Sequence, residues 1–152
     1  MCIRDRVKSF PIIFSLTKKN SAQKGFVNKD IKSLQTGFYT IDYSNELSEI
    51  KNILEIKNHF PSKNIVIKNI SDANSLKEIE KQTNPISTTI SWWSLIADTS
   101  NLALDDFGWK VDPPLGSKEN REFLIKGLEN DLIQAIAAVS YTHLTLPTNR
   151  EV

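Results

Sequence analysis

An α/β fold built on a parallel sheet is what this sequence predicts, and three observations carry the prediction. Short runs rich in β-branched residues alternate with stretches whose apolar residues recur at helical spacing. Ser and Asp residues able to cap a helix stand where those stretches begin. Pro61, Pro85, Pro113 and Pro114 fall between the elements. Strand, helix and strand in alternation imply βαβ units, each crossover right-handed.

The run FPIIFSL (residues 10–16) reads as a short buried strand. The polar stretch after it, TKKNSAQKG (residues 17–25), reads as a solvated loop or as a cover over a site. From Ser44, Leu47, Ile50, Ile53 and Leu54 define one face of a helix that should stop near Pro61. NIVIKNIS (residues 64–71) is the next strand. Ser71 or Asp72 then caps a helix carrying Leu76 and Ile79, with Lys/Glu pairs on its other face. ISTTI (residues 86–90) reads as a strand, and ADTSNLALDDFG (residues 97–108) as a loop with short helical turns. WKV (residues 109–111) reads as a brief strand. Ser117 caps a helix over residues 121–129 that turns Phe123, Leu124 and Leu128 inward, and LIQAIAA (residues 132–138) closes as a buried strand.

The ends read differently. Met-Cys-Ile can be written ATG TGT ATA, whose reverse complement encodes Tyr-Thr-His, the residues Tyr141, Thr142 and His143. Arg4 and Asp5 reverse in the same way onto Val139 and Ser140. One DNA element read in both senses accounts for the two ends, and it resembles the transposon end used to prepare sequencing libraries. Residues 1–6 and 139–152 are therefore expected to be foreign. Residues 7–138 are expected to be one fragment of a domain, cut at both sides as in a metagenomic gene fragment.

Setting those ends aside removes three basic and two acidic residues from totals of 19 and 18, leaving 16 of each. A balanced chain gives no electrostatic reason to expect a nucleic-acid or membrane partner. No apolar run approaches the roughly 20 residues that span a bilayer. The inner segment holds no cysteine and one histidine, His59, so a zinc site made of several histidines or cysteines cannot lie within it. A glycine-rich phosphate loop and a GxSxG elbow are both missing.

Individual residues carry weaker signals. His59 reads as a surface residue near a helix end. Trp92 and Trp93 could form an aromatic platform, or pack one ring in the sheet and one under the loop. Asp98, Asp105 and Asp106 could bind a cation, but loop solvation and capping explain them more simply. Asp112 could act as a general base, although no partner for it is visible. Lys110 alternates outward and reads as a solvent or salt-bridge residue.

Three stretches in order, KVDPPLG (residues 110–116), ENREFLIKGL (residues 119–128) and DLIQAIA (residues 131–137), resemble the dihydroorotases of the amidohydrolase superfamily. The resemblance implies the C-terminal half of a partial (β/α)8 TIM-type barrel, with its site at the C-terminal ends of the strands. It also implies cyclic amide hydrolysis of dihydroorotate in de novo pyrimidine biosynthesis, in the cytoplasm, by an oligomer. Pro113, Pro114 and Leu115 match the family's barrel-rim motif, Arg121 and Gly127 stand in register, and Asp112 occupies the substrate-binding asparagine position. Gly116 stands where the family has arginine.

The family uses zinc to generate hydroxide near neutral pH. At the matched ligand positions this sequence has Val66 and Asn69, then Trp92 and Trp93. No metal ligand and no catalytic residue is therefore assigned within the segment, and no cofactor is expected in it. The resemblance then points to a non-catalytic member, the kind that serves as a structural partner of aspartate transcarbamoylase. The alternative is an active amidohydrolase of another substrate, with its ligands in an N-terminal half that is not part of this chain.

Overall fold

The computed structural model describes residues 10–16, 27–29, 34–35, 40–41, 44–102 and 111–138. The loop at residues 17–25, Asp105, Asp106, Trp109, Lys110 and both expected foreign ends lie outside the described residues.

Four strands form one sheet: β1 (Ile12–Ser15), β4 (Ile65–Ile70), β5 (Ser87–Ser91) and β6 (Ala135–Ala137), in the spatial order β1-β4-β5-β6. Every neighbouring pair is parallel, as the alternating sequence predicts. Helix α1 (Ser44–His59) precedes β4, α2 (Ala73–Glu80) joins β4 to β5, and α4 (Lys118–Glu129) precedes β6. A four-residue helix α3 (Trp93–Ile96) and a 3₁₀ turn (Thr99–Asn101) follow β5. Two short strands, β2 (Val27–Asn28) and β3 (Thr40–Ile41), pair with each other, and Val27 also bridges Leu115.

The helices cover one face of the sheet. Ile65, Ile67, Ile70 and Ile90 from the strands meet Ile50, Ile53 and Leu54 of α1, Leu76 and Ile79 of α2, and Leu124 of α4. Burying a side chain of this size contributes roughly 1.5–3 kcal/mol. Side chains alternate along a strand, so Ile13, Val66, Ser87 and Thr89 fall on the opposite, more open face.

The caps form where the sequence puts them. The Asp72 side chain accepts from Ser75 N, and the Ser117 side chain from Asn120 N. Lys81 pairs with Glu78 on the outer face of α2. Gly127 is required by the contact between α4 and α2. A Cβ there would lie 2.5 Å from Leu76 Cδ2 and 3.2 Å from Ile133 Cδ1.

Two strands read as buried are not. Ile13 of β1 is 62% exposed and Ile136 of β6 is 52% exposed. Each strand has a described neighbour on one side only, so its composition secures pairing without burial. Strand β6 is also shorter than its apolar run. Leu132 and Gln134 are taken up in fixing its entry: Leu132 O accepts from Thr88 Oγ1 (2.6 Å), and Gln134 Oε1 from Thr88 N (2.7 Å). Val111, the described residue of the expected WKV strand, is irregular; the backbone pairing in that region is the Leu115 bridge to Val27.

Candidate functional site

Parallel strands place their C-terminal ends on one rim, where βα turns can gather side chains. Here that rim comprises residues 69–72 at the end of β4, residues 91–94 at the end of β5, and the turn at residues 111–117.

The β4–α2 turn is the most heavily bonded part. Asn69 adopts a left-handed φ of 60°, tolerated by an asparagine better than by most side chains. Its backbone N–H donates to Thr89 Oγ1 at 3.1 Å. Glu46, in the first turn of α1, is buried and accepts from Ser71 N (3.0 Å), Asp72 N (2.9 Å) and Ser71 Oγ. From the other side Asn120 of α4 accepts from Ala73 N (2.7 Å) and donates to Ser71 O (2.7 Å). Two side chains distant in sequence thus satisfy four backbone groups of one turn. Burial pushes the Glu46 carboxyl above its ordinary value, against the opposing hydrogen bonds from Ser71 and Asp72. Burial likewise pushes Asp72 up, against bonds from Asn74 and Ser75.

A second node follows β5. Asp98 is buried and caps the 3₁₀ turn, accepting from Ser100 N (2.8 Å) and Ser100 Oγ, while Arg121 Nε donates to its other oxygen at 2.9 Å. Arg121 also donates to Leu95 O at 3.2 Å. Burial acts to raise the Asp98 carboxyl, but Ser100 and Arg121 outweigh it and hold the group below the usual aspartate range. Asp98 therefore caps a helical turn, as one half of the simpler sequence reading has it; the expected loop solvation is replaced by burial and the ion pair with Arg121.

The rim motif divides. Leu115 is fully buried with Val27, Ala97 and Leu102, Pro113 is buried, and Pro114 is half-buried. Asp112 is exposed and precedes Pro113 through a cis peptide bond. Gly116 O accepts from Thr99 N at 2.8 Å, joining this turn to the Asp98 node. The Trp92 and Trp93 rings lie 4.3 Å apart at 38°, both half-buried, and Trp93 packs on the Leu115 cluster. His59 is exposed at the end of α1, with Nδ1 2.9 Å from Glu55 O.

Zinc needs three or four nitrogen, sulfur or carboxylate donors around one point. The matched positions offer the hydrocarbon of Val66, two indoles with no lone pair to give, and the amide of Asn69. Among the described residues no group of three or more His, Cys, Asp or Glu side chains is gathered to hold a metal. These residues do not fit the family's zinc centre. Two buried oxygens on the rim, Asn69 Oδ1 and Ser94 Oγ, have no hydrogen-bond partner.

Sequence reasoning missed Glu46 and Asn120, and read Arg121 only as a matched position. Glu46 had a usable signal: it stands four and seven residues before Ile50 and Ile53, on the apolar stripe of α1. Asn120 had none, since its partners are 47 and 49 residues away.

Parallel strands with return helices on one face define an α/β chain of the (β/α)8 type, of which four strands are joined in one sheet here. Solved structures share this arrangement. A dihydropyrimidinase from Brevibacillus agri matches with a TM-score of 0.59 at 13% identity, over 88% of this chain and 38% of its own. A D-hydantoinase from a Bacillus species matches with a TM-score of 0.59 at 16% identity, over 89% of this chain and 39% of its own. At such identity the likeness is one of fold, and this chain spans about two-fifths of those proteins' length. No family model and no curated protein matches the sequence. Among the described residues no helix is long and apolar enough to cross a membrane.

Proposed function

We propose that this chain is the C-terminal part of the barrel of a dihydroorotase-like protein of the amidohydrolase superfamily, one without zinc catalysis of its own. The observation that carries the reading is the strand rim: Val66, Asn69, Trp92 and Trp93 are matched to the family's metal-binding imidazoles, and none replaces an imidazole as a ligand. The fold likeness to a dihydropyrimidinase and a D-hydantoinase supports the broader class, the hydrolases of cyclic amides. Hydrolysis by that class needs a metal-activated water, and no step through a metal can be built from these side chains.

In this reading Asp112 lies where the family binds the substrate, and its negative charge disfavours an anionic ring there. A barrel kept without its metal ligands is useful as a scaffold, and aspartate transcarbamoylase is the partner the family resemblance suggests. The test uses the longer gene with its natural ends. Purified protein supplied with zinc should retain well under one equivalent and should turn over neither dihydroorotate, dihydrouracil nor hydantoin. Two tightly held zinc ions together with turnover would reject the non-catalytic reading. Turnover of a ring other than dihydroorotate would favour an active amidohydrolase with ligands upstream. Size-exclusion of the two full-length proteins at micromolar concentration tests the scaffold role, and separate elution argues against it.

A further inference from the structure

The sheet ends in two complementary edges. Among the described residues β1 is paired with β4 alone and β6 with β5 alone, and all four strands are parallel. Both edges present unpaired backbone groups. Ile12 N donates to Asn64 O at 2.8 Å, and Ala137 O accepts from Trp92 N at 3.2 Å, so these two residues point into the sheet. The backbone groups of their neighbours Ile13 and Ile136 therefore point away from it. Exposed isoleucines sit on the same two strands: Ile12 and Ile13 on β1, Ile136 on β6. Ile12 is in register with Ile65 and Ile136 with Ile90, both in the helix-covered core, so Ile12 and Ile136 share that side of the sheet. Residues 1–11 before β1 and 138–152 after β6 are each a shorter stretch than 71–86, which alone joins β4 to β5. Neither end of this chain is long enough to repeat that crossover and add a parallel strand.

We propose that two copies of this chain close one eight-stranded barrel, the β6 edge of each pairing in parallel with the β1 edge of the other. Four strands are half of the barrel that the fold implies. A twofold axis along the barrel carries each β6 edge onto the opposite β1 edge, so closure leaves no edge free. At each seam Ile136 and the Ile12 of the other copy lie on one side of the sheet, and neither is left at an open edge. Ile13 joins Val66, Ser87 and Thr89 on the side that becomes the interior. Lys68 is the one charged side chain of the four strands on that side; it stands toward the C-terminal end of β4, within reach of the rim and of solvent. The proposal rests on the sheet alone and is independent of whether the longer protein hydrolyses a ring amide.

The experiment measures the mass of the purified 152-residue chain by sedimentation equilibrium from low-micromolar to near-millimolar concentration. The expected result is a plateau at twice the 17.2 kDa chain. A monomer throughout, or a mass that climbs past the dimer without a plateau, would overturn the proposal, the second because it marks open-ended edge pairing. Ile13→Pro and Ile136→Pro each remove one outward N–H and no hydrogen bond within the sheet. Each substitution touches both seams, so each should weaken dimerisation about tenfold or more. A dimer equally tight in both variants is held by another surface and also overturns it. Hydrogen exchange in the unaltered chain needs no variant to fold: the Ile13 and Ile136 amides should gain about tenfold or more protection as the dimer forms. Free exchange of both amides in the dimer rejects the closure.

Discussion

Replacing Asp98 by alanine removes the acceptor for Ser100 N at 2.8 Å, for Ser100 Oγ and for Arg121 Nε at 2.9 Å, and with it the capping box to Asn101. Loss of a side-chain cap costs about 0.5–2 kcal/mol. Breaking a fully buried ion pair costs about 3–5 kcal/mol, because the remaining charge stays desolvated. The Arg121 side chain is 27% exposed, so water can reach it and the cost falls below that range, to about 1.5–2 kcal/mol. The expected total is about 2–4 kcal/mol, read by urea unfolding with the Trp92–Trp93 pair as the fluorescent reporter. A double-mutant cycle with Arg121→Ala should give a coupling of roughly 1–3 kcal/mol. The sign of the pH dependence is also fixed. Asp98 is held below its ordinary value of 3.8, so its contribution is present above that value and lost as pH falls through the folded one. The gap between wild type and Asp98→Asn should be constant from neutrality to about pH 4 and narrow below it. A penalty under about 0.5 kcal/mol, within the range of ordinary surface changes, would refute the assignment.

Asn120→Ala strands the Ala73 amide and the Ser71 carbonyl, and should lower stability by about 2–4 kcal/mol in the same assay. Gly127→Val places a branched side chain where even a Cβ meets Leu76 at 2.5 Å; a loss of roughly 2–3 kcal/mol is expected, and an unchanged unfolding midpoint would contradict that contact. The exposed Ile13 and Ile136 lie on the sheet's two outer strands, so the purified chain should bind a hydrophobic dye and associate with rising concentration. The Ile13→Lys, Ile136→Lys double variant should reduce both, as read by dye fluorescence and light scattering.

Local chemistry made much of the fold legible. β-Branched runs located β4 and β5, Pro61 bounded α1, and Asp72 and Ser117 announced two helix starts. What stayed hidden depends on partners remote in sequence. Whether Ile13 or Ile136 is covered is decided by the number of neighbouring strands, which apolar content does not encode. The Asp98–Arg121 pair spans 23 residues and the Glu46–Ser71 bond spans 25, beyond any helical or strand period. Motif register marked the Pro113–Pro114 turn, yet the buried carboxylates gather elsewhere, at Glu46, Asp72 and Asp98.

Helix α1 carries an ionisable side chain at each end of its buried stripe. Glu46 holds the amides at the top of β4, and Lys57 donates to Pro61 O (3.0 Å) and Lys63 O (2.7 Å) below it. Along the axis these two side chains stand about 16 Å apart at 1.5 Å per residue. The backbone they grip runs about 25 Å at strand rise, and the reach of the two side chains makes up the difference. Such a helix works as a gauge of fixed length against the strand beside it. Deleting one residue between the two would swing one grip about 100° out of line, so this segment should accept substitutions far more readily than changes in length.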